Sequence, residues 1–280
     1  MQPFAVRNAI KSFYHSYGSW LYPVFGMKPW KLGYVPYKFA AIRRALGERV
    51  LADGGLPAGY GYRLDERIVE YPWLFSRLPP GAGNLLDAGS VLNYEFLLNQ
   101  PSLANKRIFI STLAPERNCF WSKTVSYVYE DLRDSCFSDD YFDWVASLST
   151  IEHIGLDNTM LYTQDEAKRE GDQEAYLTAI REFRRVLKPG GTLFLSMPYG
   201  RRCNHGWFQV FDAVMVDGIL NTFEATESHE SHFRYQPDGW VVSDREQSKD
   251  ATYFDIHTQK HYDSDFAAAS RAIVCLELRK

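Results

Sequence analysis

The sequence predicts an α/β fold, a mostly parallel sheet covered by helices on both faces. Three observations carry that expectation. Short apolar runs recur at 84–88, 107–111, 125–129, 142–148 and 192–197, each about one buried strand long. Segments with helical periodicity fall between or after them, around 92–99, 173–187 and 209–220. Strands separated by helices pair in parallel and need cover on both faces, giving a three-layer α/β/α arrangement.

The elements follow in order. Residues 1–63 read as an N-terminal extension, with amphipathic pieces at Phe4–Leu21 and Tyr37–Leu46. Pro23, Pro29, Pro36 and the Gly-rich run Asp53–Gly61 mark the turns around them. Asp65 is placed to cap a helix running to about Leu78, with Pro72 as a kink inside it and Pro79-Pro80-Gly81 as its stop. In 173–187, Tyr176, Ile180, Phe183 and Leu187 share one helical face, and Arg184, Arg185 and Lys188 sit at the C-terminal end, where they complement the helix dipole. The tail differs: Phe223–Tyr235 and Ala272–Leu278 read as two long strands joined by a charged, aromatic segment.

Composition bounds the function. The chain has 280 residues, 45% hydrophobic and 24% charged, which is ordinary for a globular protein. A net charge of -4 disfavours a protein that coats nucleic acid. Cys119, Cys136, Cys203 and Cys275 are scattered without a CxxC pair, which predicts a reduced, cytoplasmic protein without a zinc site. No apolar run reaches the length of a membrane span. Residues 1–50 hold eight Lys/Arg against one Glu, a net +7 that leaves -11 over the rest. Phe13, Tyr14, Trp20, Tyr22, Trp30, Tyr34 and Tyr37 interleave with those cations. Three roles fit such a segment: a cap packed on the core, contact with an anionic membrane surface, or stacking on single-stranded nucleic acid.

In open α/β sheets ligands bind beyond the carboxyl ends of the strands. Gly89 follows the first strand and lets backbone approach a ligand closely. Glu130-Asp131-Leu132-Arg133-Asp134 is an acidic turn after the third strand. Glu152 and His153 follow the fourth, and a histidine suits proton abstraction from a hydroxyl. After the fifth come Arg201, Arg202 and His205, the last a second candidate base. Asp157–Asp172 is a polar stretch of the kind that closes over sites. His229 and His232, at odd spacing on an extended segment, point to opposite faces, so no metal site is expected of them.

Three pieces in order, NLLDAGSVLN at 84–93, YEDLRDSCFSDDYFD at 129–143 and LKPGG at 187–191, resemble class I S-adenosylmethionine (SAM) dependent methyltransferases over roughly residues 64–280. The resemblance implies a Rossmann-like methyltransferase fold with a seven-stranded mixed sheet and the N-terminal extension as a separate piece. It implies SAM as cofactor, held by Asp87, Gly89 and Ser90, by Thr112 or Glu116, by Asp131 and Leu132, and by Ser149. It places His153, Glu152 and His205 at the acceptor side. The chain departs from the family at two points. Only Gly89 of three alternating glycines is present, with Val91 and Asn93 at the others, and Ser111-Thr112 replace the usual acid at the second strand tip. The tail, with Asp238-Gly239-Trp240 and the strand Ala272–Leu278, looks like methyltransferases of bacterial polysaccharide and natural-product pathways, which suggests O-methylation of a small-molecule or glycan acceptor; a place peripheral to a membrane is suggested by the basic, aromatic extension instead. The alternative is a non-catalytic binding or scaffold protein on a degenerate methyltransferase fold. An open cavity between Gly89, Asp131 and His153 favours catalysis; one plugged by Val91 or an aromatic favours the alternative. A nicotinamide enzyme would need a G-x-G-x-x-G turn that the chain lacks.

Overall fold

The computed structural model describes residues 18–51, 55–115, 118–163 and 165–280. Phe4, Phe13, Tyr14, Asp53 and Glu116, all named from the sequence, lie outside the described residues, as do Arg7 and Lys11, two of the eight N-terminal cations. The chain divides into two compact units: residues 77–232, 243–252 and 272–280 form the larger, and residues up to 76 with 233–242 and 253–271 form the smaller.

The larger unit holds the parallel sheet. β1 (Gly83–Ala88), β2 (Lys106–Thr112), β3 (Val125–Tyr129), β4 (Phe142–Leu148) and β5 (Leu187–Pro198) run parallel in the order β3-β2-β1-β4-β5. A small hairpin, β6 (Cys203–Asn204) with β7 (Gln209–Val210), follows β5. β10 (Ala272–Arg279), antiparallel to β5, and the first part of β8 (Glu227–Gln236) also belong to this unit; the sheet order ends β5-β10-β8-β9, and the end of β8 and nearly all of β9 (Gly239–Ser243) belong to the smaller unit. The sheet therefore has eight strands where seven were expected, and the addition is β9, which the turn at Pro237-Asp238 folds back. The expected helix end at 187 shifts as well, because Leu187 pairs with Phe142 as a strand residue.

Within this unit the helix Tyr176–Val186 buries Tyr176, Ala179, Ile180, Phe183 and Val186 against β-strand residues such as Val145, Leu193 and Leu195. Asp143 ties three strands at their start. It accepts from the Asn84 N–H (2.7 Å) and pairs with Lys188 (2.8 Å). Burial pushes its carboxyl up, but the bonds from Lys188 and the Asn84 amide outweigh that and hold it below the usual range. The Phe-Asp and Leu-Lys-Pro-Gly-Gly segments thus set the register that delivers the β4 and β5 tips to one edge.

In the smaller unit two helices, Tyr34–Glu48 and Arg67–Arg77, pack with the C-terminal segments. Asp65 caps the second helix through the Arg67 N–H (3.2 Å) and pairs with buried Lys38 (2.5 Å). Pro72 lies inside that helix, and its missing N–H releases the Ile68 carbonyl. The Tyr60 hydroxyl donates to that carbonyl (2.5 Å), so the helix continues through the proline. Trp240 donates its indole N–H to the Leu64 carbonyl (3.0 Å), and Trp30 does the same to Ala268 (2.5 Å). The extension's aromatics split: Tyr22 and Tyr34 are buried, whereas Trp20, Phe25 and Trp30 are exposed.

Candidate active site

A cavity of about 560 Å³ opens at the carboxyl ends of β1, β2, β3 and β4, all within the larger unit. Gly89, Thr112, Asp131, Leu132, Thr150 and His153 line it, together with part of the stretch 158–170. The size suits a small-molecule ligand. Val91 is buried in the turn after β1 and is not among the lining residues.

The glycine turn is shaped by its neighbours. Asp87 is fully buried, and its carboxylate accepts from the N–H groups of Val91 (3.0 Å) and Leu92 (2.8 Å). This satisfies the amides that a helix start would leave open, so Asp87 holds the turn and does not line the cavity. Gly89 adopts φ +117°, and a Cβ there would stand 2.5 Å from Thr150 Cγ2 and closer still to Oγ1. Only glycine lets β1 and the β4 loop meet this tightly. Ser90 follows at φ 61°, with its hydroxyl oxygen buried and without a partner among the described residues.

At the β2 tip Ser111 and Thr112 diverge, as successive strand residues do. Ser111 donates its hydroxyl to Glu130 (3.0 Å), whose carboxylate also accepts from the Ser135 hydroxyl (3.1 Å) and the Cys136 N–H (2.8 Å). Glu130 therefore locks the acidic turn to β2. Thr112 instead lines the cavity.

Asp131 also lines it. Its carboxylate accepts from the Arg133 N–H (2.9 Å) and from the guanidinium (2.5 Å). Partial burial pushes the Asp131 carboxyl up, but the Arg133 bonds more than offset that and hold it below the ordinary range, so it is ionised at neutral pH. Leu132 presents a backbone N–H that takes no partner among the described residues. A carboxylate acceptor beside a free amide donor is the donor set that an adenine edge needs, and the cavity in front of them is open.

On the other side, Ile151–His153 form a single 3₁₀ turn. His153 Nδ1 lies 2.9 Å from the Trp207 carbonyl, and the two rings are 5.1 Å apart. A carbonyl only accepts, so Nδ1 carries the proton and the lone pair of the neutral ring lies on Nε2. Glu152 is buried behind this turn and does not line the cavity. Ser149, at φ 38°, anchors β4 to β5 through its N–H to the Ser196 carbonyl (2.9 Å), also away from the lining. His205 stacks on Phe208, centroids 4.3 Å apart, and does not line the cavity either. His229 is exposed and His232 buried against Glu230 (3.1 Å), on opposite faces of β8 as their spacing implied.

The sequence reading missed Thr150, Asn158 and Glu170. Asn158 donates to the His153 carbonyl (2.5 Å) and fixes the end of the 3₁₀ turn. Its side-chain amide oxygen, Oδ1, is buried without a partner among the described residues. The signal for it was weak, a single amide in a polar run.

Residues 102–195 match a family model described as a methyltransferase domain. No curated protein sequence matches the chain. Among solved structures the chain is similar to 1,6-didemethyltoxoflavin-N1-methyltransferase of Burkholderia thailandensis, with S-adenosylhomocysteine bound, at 15% identity, 88% of this chain, 90% of that one and a TM-score of 0.45. It is similar to phosphoethanolamine N-methyltransferase 2 of Haemonchus contortus, also with S-adenosylhomocysteine, at 14% identity, 76% and 42% coverage and a TM-score of 0.40. The cyclase SpnF is similar at 16% identity, 87% and 94% coverage and a TM-score of 0.46. The matched segment runs from just before β2 into β5, through the acidic turn and the His153 loop, and β10 closes the sheet antiparallel to β5 as the class I pattern requires. Residues 102–195 are thus similar to a methyltransferase domain, and the sheet they run through has the strand order of the Rossmann-like methyltransferase fold.

Proposed function

We propose that the chain methylates a hydroxyl of a small-molecule or glycan acceptor, with adenosine bound at Asp131 and Leu132 and the acceptor beside His153. The observation that carries this reading is the open cavity shared by Gly89, Thr112, Asp131, Leu132 and His153. That openness also favours a working site over a non-catalytic scaffold.

SAM supplies a methyl group on a sulfonium sulfur for in-line displacement, in which alignment contributes much of the rate. The Asp131 carboxylate accepts from the adenine amino group, and the Leu132 N–H donates to the ring. The Thr112 hydroxyl meets the ribose where other members of the class use an acid. His153 Nε2 takes the acceptor's hydroxyl proton, while the Trp207 carbonyl holds Nδ1–H and so fixes the tautomer. Asp87, Ser90, Ser149 and Glu152 shape the turns around these groups, and His205 stacks on Phe208, which packs against Trp207.

Asp131→Ala removes a charged hydrogen bond worth about 1.5–3 kcal/mol, so S-adenosylhomocysteine is expected to bind about 10–100-fold more weakly by calorimetry. Unchanged affinity would contradict the adenine assignment. The acceptor itself is to be sought by a methyl-transfer screen beginning with sugars. Activity on amines alone would contradict O-methylation.

An anionic membrane surface is a further proposed contact. Trp20, Val24, Phe25, Trp30 and Leu32 are exposed in the smaller unit beside exposed Lys28 and Lys31, the composition of an interfacial segment. The chain is expected to sediment with phosphatidylglycerol vesicles at low salt and not with phosphatidylcholine alone. Equal recovery with both would count against it.

A further inference from the structure

Arg133 stands between two carboxylates that line the same cavity. Its Nε donates to Asp131 Oδ1 (2.9 Å), and its Nη2 reaches Asp131 Oδ2 (2.5 Å). The outer edge of the guanidinium is bidentate on Glu170, with Nη1 to Oε2 at 2.6 Å and Nη2 to Oε1 at 2.7 Å. Residues 131 and 133 belong to the acidic turn, whereas Glu170 comes from a distant loop. That loop is tied at its own base by Arg169 to Asp157 (2.8 Å). Arg169 thus fixes the loop on itself, and Glu170 joins it to the turn that faces adenine.

We propose that Arg133 and Glu170 are positioning residues for the cofactor: Arg133 aims the Asp131 carboxylate and, through Glu170, fastens residues 165–172 across the adenosine end of the cavity. This rests on the reading that the adenosyl group binds at Asp131. The polar stretch that the sequence suggests as a cover for a site is thereby assigned to the cofactor half, because its ion pair runs from Glu170 to Arg133.

The physical argument is one of geometry and count. A carboxylate offers about four lone-pair positions, and Arg133 with its own amide occupies most of those on Asp131. What remains for a ligand's amino group is held at a fixed angle by a planar fork with no freedom to drift while Glu170 grips its far edge. Both ion pairs are partly exposed, so their effect on overall stability is small and their effect on orientation is the larger one. Breaking the Glu170 grip frees both the loop and the guanidinium while leaving Asp131 and Leu132, the groups assigned to adenine, in place.

The test is the dissociation rate of S-adenosylhomocysteine by stopped flow on the full chain, with hydrogen exchange of residues 165–172 as a second readout. Glu170→Gln is expected to raise the dissociation rate about three- to tenfold with little change in association rate. Glu170→Asp should recover part of the difference, and 0.5 M salt should shrink it, since such pairs are screened. Ligand should slow exchange at 165–172 in the parent chain and not in Glu170→Gln. Equal dissociation rates and equal exchange in parent and variant, with the parent binding normally, would overturn the inference and leave the cofactor reading standing. Failure of the parent to bind S-adenosylhomocysteine at all would remove both.

Discussion

Replacing His153 with alanine is expected to lower kcat on an O-acceptor by about 10²–10⁴-fold, the range spanned by loss of a positioned general base. The expectation follows from the ring's setting. His153 sits on a one-turn 3₁₀ segment whose carbonyl is pinned by Asn158, and its Nδ1 is engaged by the Trp207 carbonyl. The ring is therefore fixed as the tautomer that accepts at Nε2, and it lines the cavity. S-adenosylhomocysteine affinity should change far less than kcat, because the proposal assigns the adenosyl group to Asp131 and Leu132. Added imidazole should restore part of the rate in His153→Ala, which a purely structural histidine would not show. A variant with full turnover on the true acceptor would remove His153 from the chemistry.

The second large effect concerns the fold. Gly89→Ala is expected to destabilise the chain by about 2–4 kcal/mol, read as a lower urea midpoint at an unchanged m-value. Two costs combine: a side chain at φ +117°, and a Cβ driven into Thr150. The second cost is separable. Thr150→Ala removes Oγ1 and Cγ2, the two nearest atoms that the new methyl would strike, and leaves only Cβ at 2.9 Å, so the double variant should recover part of the stability lost in Gly89→Ala. A Gly89→Ala midpoint within error of the parent would show that the turn relaxes freely and that the family's glycine is not required here for packing.

Much of the architecture was legible because the sequence marks it locally. The strands at 125–129 and 142–148 have the bounds that their apolar runs suggest, and the helix face of Tyr176, Ile180 and Phe183 is the buried one. Leu187 was ambiguous because an apolar residue at the junction suits both the helix face and the strand, and Pro189 two residues on settled it as strand. β9 was missed because five residues after a two-residue turn carry little signal, although Trp240 within it was noticed.

The smaller unit was illegible for a different reason. The bond from Trp240 to Leu64 spans 176 residues, and nothing local announces it. The same limit applies at the site. Asp131, Leu132 and His153 could be read from motif positions, and they do line one cavity. The partner of Arg133 could not, since Glu170 lies 37 residues away in a run rich in other acids. Asp87 and Ser149 were legible as positions in the turns, but only coordinates show that they bond to backbone and stay clear of the cavity.

The measurement that tests the central claim most directly is calorimetric titration of the purified chain with SAM and S-adenosylhomocysteine, using NAD as control. Saturable binding of both adenosyl compounds at one site, with none for NAD, is the expected result. It would show that Thr112 and a single glycine suffice where class I methyltransferases usually have an acid and three glycines. No binding of either compound at millimolar concentration would contradict the account, and the open cavity at Asp131 and His153 would then belong to a different ligand.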